Sequence, residues 1–365
     1  MMELRLEKRY EQLVRSHMQV GHELAAGVKS ILDKDIAFSQ TQAAWRFLNN
    51  KRCTLATLSK PLLTAANQLS EQECDDYLLI PHDWSYLSYG GHKSKKDTYN
   101  TFKKSIGYDL QTSLMLSDRH GGPLAPVAIN LKTDKKTHSS YGEALEGLTH
   151  LDELSKRIDW LESQAFKKPM VHIVDREADS IAFFRSLAHK NWLIRVNGTN
   201  YADDGYGQKK MEELGKELLF SQSRVVHYKG KKATQLIAET TVTITRNAHP
   251  KRKGANGKRL PLVRGEPVKV RLIISRVVDQ ANRELAVWYL LSTVLGVSAA
   301  TLALWYYWRW SIESYFKLMK SAGMQLESWQ QTTGLATARR LLVASMACVW
   351  IWRIAYTKGA EAGEL

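Results

Sequence analysis

The chain has 365 residues, 44% hydrophobic and 24% charged, with 52 Lys+Arg against 37 Asp+Glu for a formal charge of +15. Composition this close to the globular average excludes a disordered chain, a collagen and a disulfide-stapled miniprotein. Cys53, Cys74 and Cys348 lie far apart with no CxxC, which leaves no disulfide framework or zinc site and suits a reducing compartment. The basic excess points to a polyanion, nucleic acid first and acidic lipid second.

In chain order, residues 1–70 carry helical periodicity, clearest from Glu3 to Val14, and no strand signal. They read as a helical N-terminal domain that starts with an amphipathic helix, not a signal peptide. Residues 71–198 hold strand-like runs at Tyr77–Asp83, Ser113–Leu116 and Pro126–Leu131, then a helical stretch from Gly142 to Phe166. A strand at Met170–Val174 ends on Asp175, and a short helix leads to another strand at Trp192–Val196. This order predicts an α/β fold, a mixed sheet flanked by helices.

Residues 199–290 are β-rich, with long strands at Thr234–Arg246 and Val268–Val278, and carry 18 Lys+Arg against 9 Asp+Glu. Six basic residues, Lys251, Arg252 and Lys253 among them, fall in Lys251–Gly265 with no acid. A basic β-rich insertion is the expectation. The 24 residues from Leu285 to Trp308 carry no charge, enough to span a bilayer. Ser292, Thr293 and Gly296 break that run and Ser298 is placed to cap a helix, so strand, loop and helix are expected and no membrane span. Residues 291–365 then supply closing helices, with Leu341–Trp352 as a core helix.

Asp83 and Asp175 each end a strand-like run, a position from which α/β sheets present catalytic groups; Asp in such places also serves as a turn or cap residue. From Ser298 onward, Tyr306, Arg309, Glu313, Lys317 and Lys320 recur at spacings of 3, 4, 4 and 3. On one continuous helix the charged side chains share one face, either a stripe lining a cleft or an exposed ladder of ion pairs. Asp83, Asp175 and Glu313 together suggest a hard-cation site for phosphodiester chemistry, with Arg309, Lys317 and Lys320 holding phosphates. The eleven histidines form no HxxxH or HExxH pattern. His82 adjoins Asp83 and could lie near the site, but reads better as a histidine with a structural or solvent role, and Lys93–Lys96 with Lys103 and Lys104 read either as DNA-backbone contacts or as solvated loops. Glu177 and Asp179 are expected to orient Arg176 or cap the following helix.

The pattern Tyr306-x2-Arg309-x3-Glu313-x6-Lys320 resembles the Y-R-E-K signature of the insertion-sequence-four family of bacterial DDE transposases. VDREAD (Val174–Asp179) is similar to the family's second-aspartate motif, and IPHDWSYLSYGGH (Ile80–His92) to its first-aspartate region. AWRFLNN (Ala44–Asn50) resembles part of its N-terminal DNA-binding domain. The resemblance covers about residues 40–350 and implies an RNase H-like core with a β-rich insertion before the last catalytic helix. It also implies a triad of Asp83, Asp175 and Glu313 on two Mg²⁺ or Mn²⁺ ions, with DNA contacts from Tyr306, Arg309, Lys317, Lys320 and Arg195. Trp288 takes the place of a base-stacking tryptophan, a buried strand aromatic being the other reading. Arg46, Lys51 and Arg52, with the insertion loop, would position duplex DNA.

The activity so implied is cut-and-paste transposition at inverted-repeat ends through a hairpin, by a homodimer in the DNA synapse, at the bacterial nucleoid in the cytoplasm. Only 52 residues follow Glu313, fewer than in relatives with a long pairing tail, so synapsis through another surface or a shortened chain is expected. A non-catalytic DNA-binding derivative and a structure-selective nuclease are the competing readings.

Overall fold

The structure, a computed structural model, describes residues 2–18, 34–101, 105–142, 145–146, 148–248, 261–262, 264–321 and 323–363, without the side chains of 34–38 and 357–363. Two compact units emerge: Met1–Lys168 with Trp310–Leu365, and Pro169–Arg309.

The first unit opens with α1 (Leu4–Met18), α2 (Lys34–Leu48) and α3 (Leu55–Glu73). On α1 the buried residues are Tyr10, Leu13, Val14 and His17, the three-and-four spacing of a single apolar stripe. Then come β1 (Leu78–Ser88), β2 (Tyr99–Asn100), β3 (Ile106–Ser117), β4 (Pro123–Lys132), β5 (Thr137–Ser139) and α4 (His150–Glu162). The strands lie in the order β5-β4-β3-β1, all antiparallel, with β2 also on β3. Short turns suffice for such neighbours.

The second unit starts with β6 (Met170–Val174), α5 (Ile181–Ser186) and β7 (Trp192–Val196), the two strands parallel. It continues through β8 (Tyr201–Asp203), β9 (Gln208–Lys210), α6 (Met211–Glu217), β10 (Ser221–Tyr228), β11 (Lys231–Ile244), β12 (Val268–Val278), β13 (Glu284–Ser292) and α7 (Ala299–Trp308). Strand order is β6-β7-β13-β12-β11-β8-β9, with β10 on the free side of β11. This is a mixed sheet, as expected for the α/β class. The basic 199–290 stretch shares it with β6 and β7, because Leu291 pairs with Ile194 across β13 and β7. Lys251, Arg252 and Lys253 lie outside the described residues, as do Lys103 and Lys104.

The chain then returns to the first unit with α8 (Ser311–Lys320) and α9 (Gly334–Gly363). The uncharged 285–308 run resolves as strand, loop and helix, and Ser298 caps α7 by accepting from the Thr301 amide at 3.0 Å. Within α9, Gly334–Tyr356 is apolar and long enough to cross a membrane, yet 83% of its apolar window is buried inside the protein. It packs on α1, α3 and β4, as a core helix does.

Three sequence expectations are corrected. Asp83 is not at a strand end: β1 runs on to Ser88, whose partner is Gly107 on β3, because antiparallel pairing carries the strand past the point where its apolar run stops. The helix expected from Gly142 starts only at His150, where the Thr149 hydroxyl accepts from the Asp152 amide at 3.2 Å. The single helix expected to carry Tyr306 through Lys320 is two. Arg309 and Trp310 form a tight turn, Arg309 N–H reaching Tyr306 O at 3.2 Å and Glu313 N–H reaching Trp310 O at 3.0 Å, both three residues back.

Candidate active site

In the second unit the chemistry gathers on Asp175. It follows the last residue of β6 and caps the 3₁₀ turn Arg176–Ala178, its Oδ1 accepting from the Arg176 amide at 2.6 Å. A buried strand of Met, Val, His, Ile and Val holds the backbone rigid up to this point. Arg195, on neighbouring β7, places Nε 2.8 Å from Oδ1. Arg309 reaches Oδ2 at 3.2 Å, and the Tyr306 hydroxyl donates to Oδ1 at 3.2 Å.

Tyr306 and Arg309 come from the end of α7, three residues apart and therefore side by side. Arg309 is 5% exposed, while the side chains of Asp175 and Arg195 are each 26% exposed, so the cluster is open to solvent on one side. Burial, then the adjacent carboxylate, raises the Tyr306 phenol above its usual range, keeping it a neutral donor. Four of the residues expected at the site are thus brought into direct contact.

In the first unit, Asp83 is 9% exposed and opposite Thr112 on β3, with its Oδ1 accepting from the Trp84 amide at 2.8 Å. His82 must face the other side of the sheet, since side chains alternate along a strand. It is fully buried, its Nδ1 2.8 Å from Ser113 Oγ, which bears out the structural reading. Glu313 lies half-buried in the first turn of α8, and Lys317 is exposed one turn on. Lys320 is tied down: Nζ donates to Tyr86 O at 2.5 Å and Ser85 Oγ at 3.2 Å, and pairs with Glu327 at 3.6 Å. Lys320 therefore holds the strand that carries Asp83.

Elsewhere the expectations divide. Trp288 is half-exposed on β13, edge-on to Tyr228 with ring centres 6.4 Å apart, so it is not a fully buried strand aromatic. Among the described residues Asp179 pairs with Arg246 at 3.3 Å rather than with Arg176, and accepts from the Asn197 amide at 2.9 Å and Asn200 Nδ2 at 2.6 Å, anchoring the turn after β7. Lys95 of the Lys93–Lys96 run is buried, not solvated. Arg46, Lys51 and Arg52 are exposed, Arg52 pairing with Glu3 at 2.6 Å. Arg46 and Arg52 line a cleft of ≈ 710 Å³ together with Arg5, Lys8 and Arg9 of α1. Arg5, Lys8 and Arg9 are not among the expected DNA contacts, although their spacing on an amphipathic helix places them together.

Among the described residues, neither unit by itself gathers three His, Cys, Asp or Glu side chains into a metal-holding group. The donor chemistry of Asp83, Asp175 and Glu313 nonetheless fits a hard cation, since all three offer carboxylate oxygen. Asp175 already sits among cationic and phenolic donors that compensate its charge.

A family model described as a transposase DDE domain matches residues 75–351, a span that contains β1, β6 and α8 and every one of these carboxylates. The chain belongs to the DDE transposase family. A cryo-EM structure of the piggyBac transposase synaptic complex with hairpin DNA is similar at 10% identity and a TM-score of 0.43, over 94% of this chain and 64% of that one. The chain thus spans less than two thirds of that structure's length. No curated protein sequence matches.

Proposed function

We propose that the chain is a cut-and-paste DNA transposase of the insertion-sequence-four type, acting at the inverted-repeat ends of its own element. The reading is carried by one observation: Asp175 is gripped by Arg195, Tyr306 and Arg309, and the last two are the first members of the Y-R-E-K pattern. Such a cluster is suited to a phosphate backbone, because guanidinium groups donate to phosphate oxygens as readily as to carboxylate ones.

In this reading Asp83, Asp175 and Glu313 of an RNase H-like core would hold two Mg²⁺ or Mn²⁺ ions, whose chemistry would be to acidify the attacking water and stabilise the leaving oxygen. Arg195 and Arg309 exchange carboxylate for phosphate as DNA arrives and fix the scissile strand. Tyr306, kept protonated, donates a hydrogen bond without adding charge. Water cleaves one strand and frees a 3′-hydroxyl, which attacks the opposite strand to form a hairpin. A second water opens the hairpin, and the freed ends join target DNA. Trp288 offers an aromatic face to an unstacked base, worth about 1–3 kcal/mol. Arg46, Lys51 and Arg52 position the duplex, Lys317 and Lys320 flank the cleaved end, and two copies pair the element's ends at the bacterial nucleoid.

Glu313→Gln is the deciding variant. It should bind end-containing duplex with the wild-type constant and lose Mg²⁺-dependent nicking by at least about 10³-fold, the scale on which removing a transition-state group acts. Nicking at the wild-type rate would sink the proposal, and cutting of DNA junctions without regard to end sequence would favour a structure-selective nuclease.

A further inference from the structure

One cleft of the first unit is lined by a charge that no neighbour among the described residues neutralises. Its volume is ≈ 180 Å³; Leu13, Leu48 and Val343 give it apolar walls, and Trp45, 65% exposed, lines it too. Arg340 of α9 also lines it and is only 7% exposed. Three neighbours orient the guanidinium. Nε faces His17 Nε2 at 3.4 Å, Nη1 donates to Gln331 Oε1 at 3.2 Å, and the Trp329 ring centre lies 4.1 Å away.

His17 is set up as an acceptor, because its Nδ1 donates to Leu13 O at 2.7 Å and leaves the Nε2 lone pair for Arg340. All three neighbours are uncharged donors or acceptors, so they fix the cation without compensating it. Nη2 has no hydrogen-bond partner among the described residues, and no carboxylate among them pairs with Arg340.

Lys95 is a second buried cation, tied to Gln331 of the cleft lining. Its Nζ donates to Gln331 O at 2.8 Å and lies 3.9 Å from the Tyr89 ring centre. The nearby carboxylate, Asp97, is taken up by the Tyr108 hydroxyl at 2.6 Å and the Gly334 amide at 2.9 Å. A buried guanidinium without a counter-ion is costly, and folded proteins retain one chiefly where an anion completes it.

We propose that this cleft is a phosphate site, with Arg340 as its cationic floor. A phosphate group presents oxygens in several directions and takes charge-assisted bonds from a guanidinium fork. Asn49 and Gln330 are exposed and line the same cleft; each amide gives one N–H to a backbone carbonyl, Trp45 O at 2.9 Å and Ser328 O at 3.1 Å, and carries a second N–H that a phosphate oxygen can take. The phosphate is either a diester of a DNA backbone or a free phosphate group. The site owes nothing to Asp83, Asp175 or Glu313 and stands whether or not the chain cuts DNA.

The test is a calorimetric titration of inorganic phosphate into the full chain, at ionic strength held constant with NaCl. Wild type should bind one phosphate per chain. Gln330→Glu changes an exposed residue and sets a carboxylate beside the site, so phosphate affinity should fall roughly tenfold or more. Arg340→Gln keeps an amide but no charge and should abolish binding; if it does not fold, Gln330→Glu still decides. No phosphate binding by wild type, or equal affinity in Gln330→Glu, overturns the proposal. Competition by a duplex oligonucleotide assigns the site to DNA backbone, and unchanged phosphate binding beside bound duplex assigns it to a free phosphate.

Discussion

Single side chains show how this protein spends its positive charge. Arg195 and Arg309 converge on one carboxylate, Asp175, so that an aspartate at a strand end carries two cations ready for a second partner. Arg340, by contrast, is oriented by neutral groups among the described residues, and its charge acts on His17. Burial first, then the Arg340 charge, lowers the His17 pKa to about 3 from the usual 6.5. The folded chain therefore resists a proton that the unfolded chain accepts. Stability from this group is complete above pH 6.5 and is lost progressively as pH falls from 6.5 toward 3, on the order of a few kcal/mol. Replacing His17 by Gln should flatten that part of the profile. Urea midpoints at pH 7, 5.5 and 4.5 check it: wild type should lose more between pH 7 and 4.5 than the variant, and parallel losses would contradict the assignment.

Elements rest on contacts of very different reach, and this decides which were legible in the sequence. β6, β7 and β12 are runs of apolar and β-branched residues, and their bounds, Met170–Val174, Trp192–Val196 and Val268–Val278, coincide with the expected ones. Ser298 announces α7 because a cap is a local event. The extent of β1 was not legible, since it is fixed by the partner strand and not by its own residues. Gly107 belongs to that hidden category. A Cβ built there would stand 1.7 Å from the Leu87 carbonyl oxygen, so β1 and β3 can approach only over a glycine. Gly107→Ala should force the strands apart beside the segment that carries Asp83. A loss of roughly 2–3 kcal/mol, read as a lower denaturant midpoint with unchanged m, is the expected outcome for overpacking against backbone. The interruption at Arg309–Trp310 was equally invisible, because both residues keep right-handed helical angles and only the hydrogen-bond pattern changes. The Asp175 cluster was half legible: the sequence named its members, but not that the two arginines would close on the aspartate.

For the whole molecule, the formal charge of +15 sets how the chain meets DNA. If six or more phosphates are neutralised, affinity for duplex should fall on the order of 10³-fold between 50 and 200 mM NaCl. Fluorescence anisotropy across that range is the measurement, and a flat response would mean that the basic residues do not face the backbone. A different consequence follows from α9. Its docking partners α1, α3 and β4 are made early, whereas Gly334–Gly363 leaves the ribosome last of all the described elements. Throughout synthesis, then, the apolar surfaces of the first unit wait uncovered, and the helix that will cover them carries a stretch that membrane-insertion machinery could mistake for its own substrate. Translation order thus makes the docking of α9 the step that closes the first unit, and a pause or chaperone encounter just before Gly334 would hold it open.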